Sequence, residues 1–132
     1  MIARPNGIIL TPDGKRLLVD DSLGDTVFAY DIQPDGTVKN KRPFVKLLGM
    51  TPGQDGGADG MAVDSEDRLY VTTATGLQVF DRTGKHVGTI AVPQPPSNVA
   101  FAGADRRTLY ITARGGLYRL KVLSQGPDRP GK

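Results

Sequence analysis

Residues Ala58 to Thr73 read ADGMAVDSEDRLYVTT, and this stretch decides the fold. An Asp-Gly pair precedes the apolar run that starts at Met61, polar residues follow, and a second apolar run starts at Leu69. Two apolar runs separated by roughly three to five residues with Asp, Gly or Ser predict an antiparallel hairpin. An Asp-Gly pair alone would indicate only a turn. Asp59 therefore needs a second observation before it indicates more than a chain reversal.

The same pattern occurs three times. The other two copies are NGIILTPDGKRLLVD from Asn6 and NVAFAGADRRTLYIT from Asn98. Each copy opens with Asn or Asp and forms a hairpin, with predicted turns at 11–15, 64–68 and 103–107. A third strand follows each hairpin, beginning at Thr26, Gly76 and Gly116. In the middle copy a further turn leads to a fourth strand, which we place from Val87.

Repeated units of this length predict a β-propeller. The copies open at residues 6, 59 and 98, a spacing close to the roughly 40 to 50 residues of a propeller blade. The longer interval contains an insertion at 47–57, which we predict to be a loop. A β-sandwich would also have short strands at regular spacing, but it would not restart each unit on a polar residue at the same offset. The sequence therefore predicts an all-β fold of three blades, each a four-stranded antiparallel sheet.

The composition excludes several classes of function. The chain has no cysteine, which excludes disulfides, thiolate metal sites and thiol nucleophiles. The net charge of +3 comes from dispersed clusters at 39–46 and 106–121, which we interpret as solvated strand faces, so no nucleic-acid partner is expected. No run reaches the roughly 18 apolar residues of a membrane span, so a soluble chain without a membrane partner is expected. Its compartment stays open between cytoplasmic and periplasmic or secreted.

The polar residues that open the three copies are expected to meet. The inner strands of propeller blades run side by side around a central channel, so Asn6, Asp59 and Asn98 would converge at one depth. Amide and carboxylate oxygens suit a hard cation such as calcium or magnesium. These side chains could instead hydrogen-bond the local backbone. The spacing leaves both interpretations open, since one carboxylate compensates a dication poorly.

Three segments carry a resemblance to a known family. RPNGIILTPDGKRLLVDDS, ADGMAVDSEDRLYVTT and PSNVAFAGADRRTLYIT with the following GGLYRLKV are similar to the gluconolactonase and regucalcin (senescence marker protein, LRE-like) family. Its members are six-bladed propellers, so the resemblance implies about half of a propeller, the C-terminal half only. It covers the chain to about Val122. We therefore expect a partial propeller over 1–123 and a flexible C-terminal tail over 124–132.

The resemblance also implies a metal-dependent hydrolase. In that family one divalent cation is held by an early glutamate, the asparagine of a PNG motif and the aspartate of a DG motif. The last two correspond here to Asn6 and Asp59. Calcium is the expected ion, with magnesium and zinc as alternatives, and it would polarise the carbonyl of a sugar-acid lactone or similar ester. Asp59 would also be the catalytic residue, as the base or as the group that orients water.

Other polar residues are weaker candidates. Asn98 is a possible channel-lining residue, with backbone anchoring as its other role. Asp20 and Asp21 stand where the family often has a polar residue near the channel mouth, so Asp21 is a second possible lining residue; a strand-end turn with Ser22 is the alternative. The single histidine, His86, follows a turn without a nearby Ser or Cys nucleophile, so a surface position is expected.

Half a propeller leaves sheet faces and strand edges open, which favours self-association. The early glutamate and much of the cavity wall belong to the part of the family pattern that this sequence lacks. The chain is therefore expected to be an inactive fragment unless two copies close a six-bladed ring as a homodimer. The alternative function is a non-catalytic propeller module that binds a partner. Loss of the Asp59 carboxylate would abolish metal binding in the first case and have no effect in the second.

Overall fold

Strands account for all regular secondary structure in the computed structural model, which describes residues 1–51 and 53–128. Within these residues there is no helix that could cross a membrane. The first antiparallel sheet consists of β1 (Pro5–Leu10), β2 (Arg16–Asp21), β3 (Thr26–Ile32) and β4 (Val38–Lys46). The second consists of β5 (Met61–Val63), β6 (Leu69–Thr73), β7 (Gly76–Phe80) and β8 (His86–Ile90). The third consists, in the described part of the chain, of β9 (Pro96–Ala102), β10 (Thr108–Ala113) and β11 (Gly116–Lys121).

The predicted hairpins are confirmed. Each sheet is a meander, with its strands hydrogen-bonded in sequence order, and the three predicted turns lie between the first and second strand of each sheet. The last strand of the middle sheet begins at His86, one residue before the predicted start. No strand occurs among the described residues of the insertion at 47–57, as predicted for a loop. The third sheet has one strand fewer than the other two within the described range.

The middle sheet packs between the two others. One apolar cluster joins it to the first sheet and includes Ile9, Leu18, Met61 and Val71. A second cluster on its other face joins it to the third sheet and includes Tyr70. Every residue of β6 and β7 is buried, because both faces of this sheet are covered. The face-to-face stacking of successive sheets is the arrangement of neighbouring propeller blades.

The strand register shows which residues of the three repeats are equivalent. Equivalent leucines of the second strands pair with inner-strand residues as follows: Leu10 with Leu17, Val63 with Leu69, and Phe101 with Leu109. Counted back from these pairs, Asn6 and Asp59 occupy the same position of their inner strands, as predicted. The third sheet has Ser97 at that position.

The predicted alignment of Asn98 is therefore wrong by one residue. Asn98 pairs with Thr112 and stands at the position of the glycines that follow Asn6 and Asp59. Equal spacing in the sequence was misleading, because the third hairpin has one more residue between the equivalent strand pairs than the first hairpin has.

The segment after β11 returns to the sheets. The hydroxyl of Ser124 lies 2.7 Å from that of Tyr70, with a hydrogen bond between them. The carbonyl of Gln125 accepts a hydrogen bond from the backbone N–H of Ser65 at 2.8 Å. These contacts attach the start of the segment predicted as a tail, 124–132, to the middle sheet. Flexibility of the tail stays a prediction, and its last residues lie outside the described part of the chain.

Candidate functional site

A cavity of about 550 Å³ opens where the three inner strands begin. Its wall includes Asn6, Asp59 and Ser97, the three residues that the strand register makes equivalent. At this register position, each of the three sheets therefore contributes a residue with a polar side chain to the same space. This convergence is what the repeat predicted for the inner end of propeller blades, with Ser97 in the place expected for Asn98.

Two of the three inner strands carry a β-bulge at this position. In β1 the regular pairing is interrupted between Pro5 and Ile8, and in β9 it is interrupted between Pro96 and Asn98. A bulge leaves one residue out of the ladder and changes the direction of its side chain. Asn6 lies within the first interruption and Ser97 within the second, which explains how both can contribute to the cavity wall.

Asn6 and Asp59 are the predicted metal ligands, and the structure brings them to one cavity. Asn6 is exposed, and its Nδ2 donates a hydrogen bond to the carbonyl of Ala58 at 3.5 Å. This bond uses an amide hydrogen, so the Asn6 Oδ1 keeps its capacity to accept. Asp59 is half-buried, and its backbone N–H donates to the carbonyl of Thr72 at 3.3 Å. Its carboxylate makes no hydrogen bond to another described residue.

The donor set suits part of a hard-cation site. Among the described residues, no cluster of three or more His, Cys, Asp or Glu side chains could hold a metal ion. The cavity wall instead offers the Asp59 carboxylate, the Asn6 amide oxygen and the hydroxyl of Ser97, which also lies 3.0 Å from the hydroxyl of Thr112. Oxygen donors of this kind suit calcium or magnesium rather than a soft metal. The residues present therefore fit such an ion, and Asp59 is the one negatively charged member of this donor set.

The two residues proposed as channel lining make backbone contacts. The Asn98 Oδ1 accepts a hydrogen bond from the backbone N–H of Val99 at 2.9 Å. The Asp21 carboxylate accepts from the backbone N–H groups of Ala3, Arg4 and Leu23. Burial would raise the pKa of Asp21, but these three N–H groups together hold the pKa below its ordinary value. Both are thus anchored to backbone, and their place in a complete channel stays a prediction.

Two arginines stand at the rim of the cavity and were not predicted. Arg4 forms an ion pair with Asp55 at 2.6 Å. Arg114 lies in the turn between β10 and β11 in the left-handed backbone region, with φ 51°, and has no ion-pair partner among the described residues. Both line the cavity. Asp55, which also lines the cavity, balances the charge of Arg4, so Arg114 is the arginine whose positive charge faces the Asp59 carboxylate without a closer partner among the described residues.

Asp20 lies at the end of β2 and is completely buried. Its Oδ1 accepts a hydrogen bond from the backbone N–H of Gly7 at 2.8 Å, and its Oδ2 has no hydrogen-bond partner. Burial raises the pKa of Asp20 to about 7; the Gly7 N–H opposes this shift, and the charges of Asp59 and Asp21 add to it. No signal in the sequence distinguishes this carboxyl from an ordinary strand-end aspartate.

A family model described as the SMP-30/Gluconolactonase/LRE-like region matches residues 1–115. The chain belongs to this family. Membership agrees with the resemblance of the PNG, DG and NVAF segments and with the architecture of stacked antiparallel sheets. The family assignment therefore rests on sequence and fold together.

Relatives of known name cover most of this chain. An L-arabinolactonase of Azospirillum brasilense is 37% identical over 116 residues, which cover 85% of this chain and 37% of the relative. A gluconolactonase of Zymomonas mobilis is 30% identical over 132 residues, which cover 95% of this chain and 36% of the relative. The chain thus spans little more than a third of the length of these two relatives.

A solved structure shows the same fold. A calcium-binding protein, regucalcin, from Agrobacterium tumefaciens superimposes with a TM-score of 0.83 over 98% of this chain and 49% of that chain, at 22% identity. At this identity the likeness shows the fold alone. The three sheets described above are therefore blades of a partial propeller of the gluconolactonase and regucalcin type.

Proposed function

We propose that this chain supplies part of the active site of a divalent-metal-dependent hydrolase that acts on a sugar-acid lactone or a similar ester. The observation that carries the proposal is the convergence of Asn6 and Asp59, from adjacent sheets, on one cavity. Relatives named gluconolactonase and L-arabinolactonase support the substrate class. The carboxylate and amide oxygens in the cavity wall support a hard cation such as calcium as the ion.

The residues of the cavity suit lactone hydrolysis. A bound dication would supply a Lewis acid that polarises the lactone carbonyl. The Asp59 carboxylate would orient a water molecule and accept its proton as the water oxygen attacks the carbonyl carbon. The ring C–O bond then breaks, the ring oxygen takes the proton that Asp59 accepted from the water, and a hydroxy acid is formed. Arg114 would attract the carboxylate of this product, and about 550 Å³ is ample for a sugar-sized molecule.

Replacing Asp59 with asparagine tests the metal site. In wild type, calcium at a hundred times its dissociation constant should raise the free energy of unfolding by about 2.7 kcal/mol. Asp59→Asn should lose this stabilisation, because the substitution removes the one carboxylate of the donor set. The measurement is thermal unfolding with calcium and with chelator.

Asp55→Asn is the matched control, because Asp55 stands on the same rim and its side chain is 62% exposed. This variant should keep the calcium effect. Equal stabilisation of the Asp59→Asn variant and wild type would contradict the metal site. That result would favour a binding module without chemistry.

Both ends of the stack expose apolar side chains whose equivalents in the middle sheet are buried. On the first sheet Ile8 is 55% exposed, whereas the equivalent Met61 is 2% exposed. On the third sheet Tyr110 is 38% exposed, whereas the equivalent Tyr70 is 3% exposed. Each end face therefore has the character of a blade surface that another blade covers. We propose that a second copy of the chain covers both faces and closes a six-bladed ring.

Light scattering with calcium and with chelator measures this association. A ring predicts the mass of two chains, strengthened by calcium because two Asp59 carboxylates would then share the channel. Lactonase activity should appear only in the fraction with that mass. The mass of a single chain under both conditions would contradict the ring, and the missing blades would then have to come from another chain or a longer one.

A further inference from the structure

A direct hydrogen bond joins the second and third inner strands beside the cavity. The backbone N–H of Gly60 donates to the carbonyl of Ser97 at 2.8 Å. Because Gly7 is equivalent to Gly60 and Asp59 is equivalent to Ser97, the corresponding bond between the first two sheets would run from the Gly7 N–H to the Asp59 carbonyl. The structure has a different arrangement at that boundary.

At the boundary between the first two sheets, the Asp20 carboxyl and the Asp59 carbonyl both lie beside Gly7. The Gly7 N–H donates to the Asp20 Oδ1 at 2.8 Å. A Cβ built on Gly7 would lie 2.5 Å from the Asp20 Oδ2 and 2.0 Å from the Asp59 carbonyl oxygen. The two oxygens therefore face the same small space beside Gly7. The Gly7 N–H therefore donates to the Asp20 carboxyl, where its equivalent Gly60 donates to the backbone of the next sheet.

The other sheets have threonine at the position of Asp20. In the middle sheet the Thr72 hydroxyl donates to the Gly60 carbonyl of its own sheet at 2.9 Å, and the third sheet has Thr112 there. A hydroxyl at this position serves its own sheet, whereas the longer carboxyl of Asp20 also reaches the boundary with the next sheet. The Asp20 Oδ2 is buried without a partner, and a buried polar atom of this kind requires an explanation.

We propose that Asp20 is a positioning residue for Asp59, whose carboxyl links the Gly7 N–H to the Asp59 carbonyl across the boundary between the first two sheets. In its acid form a carboxyl group has one acceptor oxygen and one O–H donor, which match an N–H on one side and a carbonyl on the other. The link would fix the backbone of Asp59, which the proposed function makes a metal ligand and the residue that orients water. In that respect this inference rests on the proposed function.

The variants Asp20→Asn and Asp20→Ala distinguish the link from other roles of the carboxyl. Asp20→Asn keeps the shape, one acceptor and one donor, so the Gly7 amide should exchange with solvent within about twofold of its wild-type rate. In Asp20→Ala the Gly7 amide should exchange about tenfold faster, as expected for the loss of one hydrogen bond. Calcium affinity should follow the same order, unchanged in Asp20→Asn and about tenfold weaker in Asp20→Ala. Thr112→Val, at the same register position of the third sheet, is the control and should leave the Gly7 exchange unchanged.

A direct NMR measurement keeps the proposal testable if Asp20→Ala does not fold. In Asp20→Asn, a scalar coupling through the hydrogen bond should connect the new side-chain amide nitrogen with the carbonyl carbon of Asp59. Absence of that coupling, or a loss of Gly7 protection in Asp20→Asn, would overturn the proposal. A loss of calcium affinity in Asp20→Asn as large as in Asp20→Ala would show that Asp20 acts through its charge and would also overturn it. If wild type binds no calcium, the proposed function fails, while the exchange and coupling measurements still decide the link.

Discussion

The Gly7→Ala variant is expected to lose at least about 3 kcal/mol of its free energy of unfolding. The new Cβ would lie 2.0 Å from the Asp59 carbonyl oxygen and 2.5 Å from the Asp20 Oδ2. The first of these atoms belongs to the backbone of the neighbouring sheet, so a side-chain rotation cannot relieve the contact. The first two sheets would have to move apart, and the apolar cluster between them would be opened.

Urea unfolding of the two alanine variants Gly7→Ala and Gly115→Ala provides the comparison. Gly115 has no atom within 4 Å of an added Cβ, so its free energy of unfolding should change by no more than about 0.5 kcal/mol. Similar midpoints for both variants would show that the contact between Gly7 and Asp59 is looser than described. The calcium stabilisation of Gly7→Ala should also fall, because the displaced backbone carries the Asp59 side chain.

Between about pH 4 and pH 7 the contribution of Asp20 to stability is expected to fall as the pH rises. The pKa of Asp20 is about 7 in the folded protein, chiefly because of burial, against an ordinary value of 3.8. Below the lower value the carboxyl is protonated in both states and its contribution is complete. As the pH rises, the unfolded chain releases the proton first, so the contribution is lost until the folded state also releases it. The loss is on the order of 4 kcal/mol.

The difference in unfolding free energy between wild type and Asp20→Asn isolates this titration. Other carboxylates act in the opposite direction: the pKa of Asp21 is held down by backbone N–H groups, so its contribution is lost as the pH falls. These carboxylates are present in both proteins and cancel in the difference. The free energy of unfolding of wild type, relative to that of Asp20→Asn, should fall from about pH 4 to pH 7 and stay constant at higher pH. A constant difference over this range would contradict the raised pKa.

The blades could be predicted from the sequence because each hairpin is specified locally. Alternating apolar runs and short polar turns determine the pairing of neighbouring strands, and the threefold repeat shows that one plan is used three times. The convergence of Asn6 and Asp59 on one space followed from that repeat. The structure confirms this arrangement, whereas the metal and the catalytic role assigned to these residues stay predictions.

The details of the site depend on features that spacing does not reveal. Ser97 was missed because alignment on the polar residue ignored the extra residue in the third hairpin, although Pro5 and Pro96, which precede the two bulges, mark the correct register. The role of Asp20 depends on packing between two sheets. The sequence of one sheet does not show what its second carboxyl oxygen faces. Burial of a carboxyl depends on how the sheets pack, so the sequence pattern of β2 could not predict it.

The position of the middle sheet between two others has a consequence for the order of folding. In a stack where each unit contacts only its neighbours, the central unit is the only one that can gain two interfaces. A folding nucleus should therefore include β6 and β7, and conservative core substitutions there should mainly slow folding. Equivalent substitutions in the two outer sheets should mainly accelerate unfolding. The chain would then assemble from its centre outward and come apart from its ends.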